Sequence, residues 1–339
     1  MANRTLNVGV IGCGRIGRIH AENLATRIPG ARVAALADVA GAAAKEVAAQ
    51  LHVAKATADH RELLADPAVD AVAICSSTDT HSRIIQEAAA AGKHIFCEKP
   101  IDYDLTRIRA ALAAVDKARV KLQIGFNRRF DPSFAKVREL VASGAVGQPH
   151  VIRITSRDPG PPPLDYIKVS GGIFLDMTIH DFDMARYVTG SEVVEVVARG
   201  AVRIDPRFGE AGDVDTAVVT LVHEDGALTL IDNSRRAVYG YDQRVEAFGS
   251  AGMAASENPP AHTGIVRTVG GTAGPGLPHF FLERYTPSYL REWEAFLAAA
   301  RDGGPPPVPG SAGRAALVVA LAAGRSLHEG RVVRVDEIG

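Results

Sequence analysis

A chain of 339 residues, 47% of them hydrophobic, carries enough apolar side chain for one large core or two of medium size. Its formal net charge of -1, with both signs scattered along the chain, excludes the basic field that nucleic acid or an acidic membrane surface demands, so small-molecule partners are expected. The longest apolar runs, such as residues 315–323, fall well short of the roughly 20 residues that span a bilayer, and the lead into Leu6 lacks the apolar core of a secretion signal; a cytoplasmic location is expected.

Strands are predicted at 7–11, 32–37, 71–75, 94–97 and 121–124, alternating with helical stretches at 17–26, 41–50, 81–91 and 105–118. That rhythm predicts right-handed βαβ units and a doubly wound parallel sheet. Beyond Asn127 the pattern changes. A helix at 132–143 precedes a strand at 150–156, a Pro-rich loop at 158–163 and a helix beginning near Gly172. Alternating runs at 192–203, 215–224, 227–237 and 244–248 follow without intervening helices, which predicts an antiparallel or mixed sheet. Residues 252–278 read as a long loop and 303–310 as a Pro/Gly linker before a last helix at 313–324. The chain is therefore α/β, with a parallel-sheet domain over 1–125, an α+β domain over 126–310, and a tail over 311–339 placed to return to the first domain.

Gly12-Cys13-Gly14-Arg15-Ile16-Gly17 stands between a strand and a helix, the setting in which a GxGxxG pattern binds a dinucleotide. Gly12 permits the tight turn, Gly14 lets a pyrophosphate approach the backbone, and Gly17 lets helix pack on strand. The helix N-terminus adds amide donors and the positive end of its dipole. Asp38, closing the second strand, is placed to bind both ribose hydroxyls and to repel a 2′-phosphate, which favours NAD over NADP. Ser76, Ser77 and Thr78 follow the third predicted strand, where short hydroxyls either line the cofactor crevice or cap the next helix. His81, within that helix, reads by itself as a packing residue.

Glu98-Lys99-Pro100 follows the strand at 94–97, so Lys99 projects from the carboxyl edge of the sheet. Its ammonium there either holds a substrate hydroxyl or is an ordinary solvated strand-end charge. In residues 171–187, a spacing of 3.6 puts Asp176, His180, Asp183 and Tyr187 on one face of a mostly apolar helix. A carboxylate four residues before a histidine can orient the ring and support it as a general base. Metal ligation and a purely structural pair are the competing readings, and no third or fourth metal ligand is evident; no metal is expected. Cys13, Cys75 and Cys97 form no CxxC pair and are expected to be packing thiols in a reducing compartment.

Together the glycine turn, Glu98-Lys99-Pro100 and the Asp176/His180 helix resemble the glucose-fructose oxidoreductase / inositol dehydrogenase / rhizopine-catabolism (Gfo/Idh/MocA) family over about residues 5 to 300. Gly125-Phe126-Asn127-Arg128-Arg129-Phe130-Asp131, the Pro-rich loop and residues 233–244 resemble its inositol 2-dehydrogenase branch. The resemblance implies a Rossmann domain followed by a domain with an open, largely antiparallel sheet, whose exposed face commonly closes a homotetramer. It implies NAD contacts from Gly12, Gly14, Arg15, Ile16, Asp38, Ser77, Thr78, His81, Glu98, Lys99 and Asn127. It also implies a cis Lys99-Pro100 bond and a catalytic set of Lys99, Asp176 and His180, with Lys99 orienting substrate and cofactor and His180 removing a hydroxyl proton as hydride leaves.

Substrate contacts carried over are Lys99, Arg129, Asp158, Asp176, His180 and Tyr285, although an interdomain ion pair suits Arg129 and a core position suits Tyr285. Relatives often carry Thr-Pro-Asn where this chain has Ser77-Thr78-Asp79, so Asp79 is not carried over as a contact. The implied reaction is NAD-dependent oxidation of myo-inositol to 2-keto-myo-inositol (scyllo-inosose). Another inositol isomer or a pyranose is the alternative substrate, and a non-catalytic NAD- or sugar-binding regulator is the more remote alternative.

Overall fold

The computed structural model describes residues 4–339 and forms two compact units, one of residues up to Phe130 with Pro287–Ala315, the other of Asp131–Thr286 with Ala316–Gly339. In the first unit strands and helices alternate, as β1 (Leu6–Ile11), α1 (Arg15–Thr26), β2 (Ala31–Ala37), α2 (Gly41–Leu51), β3 (Ala56–Thr57), α3 (His60–Ala65), β4 (Ala71–Ile74), α4 (Thr78–Ala90), β5 (His94–Cys97), α5 (Leu105–Ala118) and β6 (Leu122–Ile124). The six strands are parallel in the order β3-β2-β1-β4-β5-β6. The central strands are apolar on both faces, as a sheet covered by helices requires: every residue of β4 is buried, and Val8, Val10 and Phe96 have no exposure. β3 and α3 were not foreseen, because two residues of strand and six of helix are too short to show a period.

The second unit begins with α6 (Pro132–Ala142), β7 (Pro149–Arg157) and α7 (Leu164–Ile167). A π turn over Phe174–Thr178 leads into α8 (Ile179–Thr189), then β8 (Val193–Ala201), α9 (Arg207–Glu210), β9 (Thr216–His223), β10 (Leu228–Ser234), β11 (Asp242–Gly249) and β12 (Gly252–Ser256). A small hairpin of β13 (Val266–Thr268) and β14 (Gly271–Ala273) precedes α10 (Phe281–Asp302), α11 (Gly310–Glu329) and β15 (Val333–Arg334). The seven-stranded sheet runs β12-β11-β7-β10-β9-β8-β15. β7 and β10 are parallel and the other neighbours antiparallel. Helices α6 and α8 cover one face through Phe134, Val137, Phe182 and Val188. The other face leaves Val218, Leu228, Leu230, Phe248 and Met253 exposed, which is the alternation of a half-covered sheet.

Three expectations are corrected. Residues 252–278 are not one loop: Gly252–Ser256 pairs with β11 across a tight turn, and its glycines and short side chains hid the strand. The Pro/Gly run at 303–310 is not a free linker, since Ile124 donates to the Val308 carbonyl and Gln123 bridges to Pro309 within the first unit. The tail does not return whole to the first domain, because β15 adds to the second sheet through β8. No helix among the described residues is long and apolar enough to cross a membrane.

Asp131 caps α6 by accepting from the backbone of Ser133 and Phe134, and its second oxygen faces the guanidinium of Arg284, with both side chains almost fully buried. Removing the carboxylate strands a buried cation as well as two helix-end amides. Asp131→Ala is expected to destabilise the protein by about 3–5 kcal/mol in denaturant unfolding, most of it from the uncompensated charge.

Candidate active site

The glycine turn of the first unit has the form that a dinucleotide needs. Gly12 has φ +95°, and a Cβ there would lie 2.5 Å from the Cys75 carbonyl and the Ser76 amide. A Cβ on Gly17 would fall 1.9 Å from the Gly12 carbonyl oxygen. A Cβ on Gly14 would meet nothing within 4 Å, so that residue borders open space. Where α3, α5 and α6 are capped by Asp59, Asp104 and Asp131, Gly14 caps α1 with no side chain. Its amides therefore have no capping side chain and remain available to phosphate oxygens. At the end of β2 the Asp38 carboxylate is fixed by the amides of Cys13 (2.7 Å) and Ala40 (2.8 Å). This chemistry fits NAD.

Ser77 is the N-cap residue of α4 but makes no capping bond with its side chain. Ser76 Oγ pairs with Thr80 Oγ1 at 2.7 Å. His81 is buried, with Nδ1 2.8 Å from the Pro100 carbonyl and Nε2 2.9 Å from the Ser76 carbonyl. Both ring nitrogens thus face backbone carbonyls, and the ring braces the two turns at the sheet edge.

Lys99 stands half-buried after β5, beside the cis Lys99-Pro100 bond. The Glu98 carboxylate is held on both oxygens by this unit's own groups. Its Oε1 lies 2.8 Å from His20 Nε2, and its Oε2 accepts from the Lys99 amide at 3.3 Å. Trp293 Nε1 donates to His20 Nδ1 at 2.8 Å, so that nitrogen is the acceptor and Nε2 carries the ring proton toward Glu98. Glu292, fully buried, brings its carboxyl within 4.8 Å of this pair. Burial, and then the charge of Glu98, push the Glu292 carboxyl well above the usual carboxylate range. No signal in the sequence joined these residues, since they come from α1, the turn after β5 and α10.

In the second unit the Asp176/His180 segment is not a uniform α-helix. The π turn takes more residues per revolution, so Asp176 is rotated relative to α8 and the single polar stripe is broken. Asp183, expected on the same face as Asp176 and His180, is 1% exposed, whereas those two are half-buried. Asp176 Oδ2 accepts from Arg235 Nη1 at 3.0 Å and Oδ1 from the Tyr166 hydroxyl at 2.8 Å. His180, half-buried, opens the first turn of α8. Tyr166 and Arg235 were both missed, because neither has a sequence spacing that links it to Asp176.

Of the other expected residues, Asn127 is buried in a short 3-10 turn and Arg129 is half-buried beside it. Asp158 is half-buried after β7, and its backbone bonds to Ser234 and Ala237. Tyr285 is 2% exposed, with ring centroids 5.9 Å from Tyr241 and 6.5 Å from Phe134, which is the packing of a core residue. The cysteines are buried as expected. Burial first and the Asp38 charge second push the Cys13 thiol up to about 11, and burial followed by the nearby Glu98 charge pushes the Cys75 and Cys97 thiols well above the usual range.

Residues 6–126 match the model of an oxidoreductase family with an NAD-binding Rossmann fold, and residues 134–255 match the GFO/IDH/MocA C-terminal domain. The chain is 53% identical over 333 residues to the myo-inositol 2-dehydrogenase of Thermotoga maritima, covering 98% of this chain and 99% of that one. It is 48% identical over 331 residues to the inositol 2-dehydrogenase of Rhizobium meliloti, covering 98% and 99%. The crystal structure of scyllo-inositol dehydrogenase from Lactobacillus casei, with bound NAD(H) and scyllo-inositol, superimposes with a TM-score of 0.92 at 31% identity, covering 98% of this chain and all of that one (100%).

Two outcomes follow from this geometry. Gly14→Ala should leave unfolding unchanged but weaken NAD binding by calorimetry, since its methyl enters open space where phosphate must approach; Gly17→Ala should lower both, since it strikes backbone. For Glu292 the raised carboxyl means that the folded chain holds a proton that the unfolded chain releases, so wild-type stability falls as pH rises above the ordinary carboxylate range. Glu292→Gln should match wild type near about pH 4 and become progressively the more stable toward about pH 8 in urea titrations.

Proposed function

The chain belongs to the Gfo/Idh/MocA oxidoreductase family, with NAD as its cofactor, and from that premise we propose that it oxidises the 2-hydroxyl of myo-inositol to the ketone, 2-keto-myo-inositol. What carries the proposal is Asp176 at a π turn, backed by a buried guanidinium and four residues before His180, in a chain that shares about half its residues with two inositol 2-dehydrogenases. NAD, when bound, accepts the hydride.

The remaining chemistry falls to side chains. His180 takes the hydroxyl proton as general base, the C2–H electron pair leaves as hydride, and the C–O bond becomes a carbonyl. Asp176 accepts a hydrogen bond from a ring hydroxyl and stabilises the imidazolium that His180 becomes. The Lys99 ammonium favours the developing alkoxide. Arg129 and Asp158 are the residues assigned to the other ring hydroxyls, and Tyr285 is left to the core of the second unit. Asp38 selects NAD over NADP by charge. A homo-oligomer closing over the exposed apolar face of the second sheet, and a reducing cytoplasm suited to three buried thiols, complete the proposal.

Purified protein given NAD and separate myo-inositol, scyllo-inositol, D-chiro-inositol and glucose should reduce NAD fastest with myo-inositol. A faster rate with scyllo-inositol would reassign the isomer, and no rate with any inositol would overturn the proposal. His180→Ala should lower kcat by about two to four orders of magnitude while NAD affinity is kept.

A further inference from the structure

The end of β10 reaches the Asp176/His180 segment through two side chains. Thr229, Ile231 and Asn233 alternate onto the buried side of the strand, and Arg235 continues that alternation just past its end. Asn233 Oδ1 accepts from Thr178 Oγ1 at 2.6 Å, and its Nδ2 donates to Asp181 Oδ2 at 2.8 Å, so it grips the π turn and the start of α8 together. Two residues on, Arg235 is 1% exposed. It donates to Asp176 at 3.0 Å and sets Nη2 3.9 Å from Asp213, with its guanidinium carbon 5.8 Å from the centre of the Phe208 ring. Asp213 in turn accepts the Ile173 amide at 3.0 Å, at the head of the π turn.

A guanidinium is always charged and cannot shed its proton when buried, so it demands a carboxylate beside it. Arg235 has two, and one of them is a residue assigned to the reaction. We propose that Arg235 is a positioning residue of the dehydrogenase: it holds the Asp176 carboxylate in its orientation, and through Asp213 it fixes the π turn that sets the direction of that carboxylate. The inference rests on the assignment of Asp176 to the polyol reaction. Lysine in its place keeps the charge but cannot fork toward both Asp176 and Asp213. Methionine keeps the stem and removes the charge.

A double-mutant cycle tests this, with myo-inositol varied at saturating NAD. Arg235→Met is expected to lower kcat by about 10- to 100-fold through the misdirected carboxylate, with NAD affinity unchanged and partial recovery in Arg235→Lys. In an Asp176→Asn background the same change should alter kcat by less than about threefold, because the carboxylate it serves is already gone. A merely structural arginine gives the same factor in both backgrounds, and that result, or a wild-type rate in Arg235→Met, overturns the inference. If Arg235→Met does not fold, Arg235→Lys carries the cycle with the same criterion. Wild-type turnover in Asp176→Asn alone would remove Asp176 from the reaction and sink the functional assignment itself, whereas an impaired Asp176→Asn beside a fully active Arg235→Met sinks only the role of Arg235.

Discussion

A buried guanidinium has to be matched by carboxylates, and in the second unit that requirement organises the segment assigned to proton transfer. Arg235 lies among Asp176, Asp213 and the Phe208 ring, and Asp213 ties the same charge to the Ile173 amide. Asn233 repeats the pattern with neutral groups on Thr178 and Asp181. The wide turn over Phe174–Thr178 is therefore held from the strand behind it, and the Thr178 hydroxyl also bonds the Ile173 carbonyl at 3.2 Å. Breaking an isolated buried pair of this kind typically costs about 3–5 kcal/mol, far more than a surface ion pair contributes.

The first unit uses the opposite device: its binding features are what the side chains leave out. Gly12 and Gly17 are dictated by backbone only a few ångströms away, Gly14 borders open space, and α1 starts without a capping side chain. Acidic groups are gathered beneath the turn after β5 instead, where Glu98 is held by His20 and the Lys99 amide and approached by the buried Glu292 carboxyl, which burial pushes well above the usual range. Gly125 is part of that arrangement, since a Cβ there would lie 3.1 Å from the Glu98 carboxylate.

The parallel sheet was legible because strand and helix periods alternate cleanly from β1 to β6 and the glycine motif lies at the first crossover. Asp38 and the cis Lys99-Pro100 turn were legible from position, the latter only through family resemblance. The π turn was not, because one extra residue per turn leaves no mark on a 3.6-residue period; the polar stripe that joined Asp176 to Asp183 dissolved with it. Arg235, Asn233, Asp213, Tyr166 and Glu292 were hidden for a common reason. Each acts through a contact distant in sequence, and an isolated Arg or Glu in a strand end or helix gives no sign that it is buried. The bond from His20 to the Glu98 carboxylate, backed by Trp293, was equally hidden, because adjacent residues do not disclose it.

The central claim is that this NAD-binding oxidoreductase removes hydride from C2 of myo-inositol. Incubation with NAD and myo-inositol carrying deuterium only at C2, followed by mass spectrometry of the reduced cofactor, tests it at the bond concerned. One deuterium in the reduced nicotinamide, with an unlabelled ketone ring, is the predicted result. Reduced cofactor without deuterium would mean that another carbon is oxidised and would contradict the account.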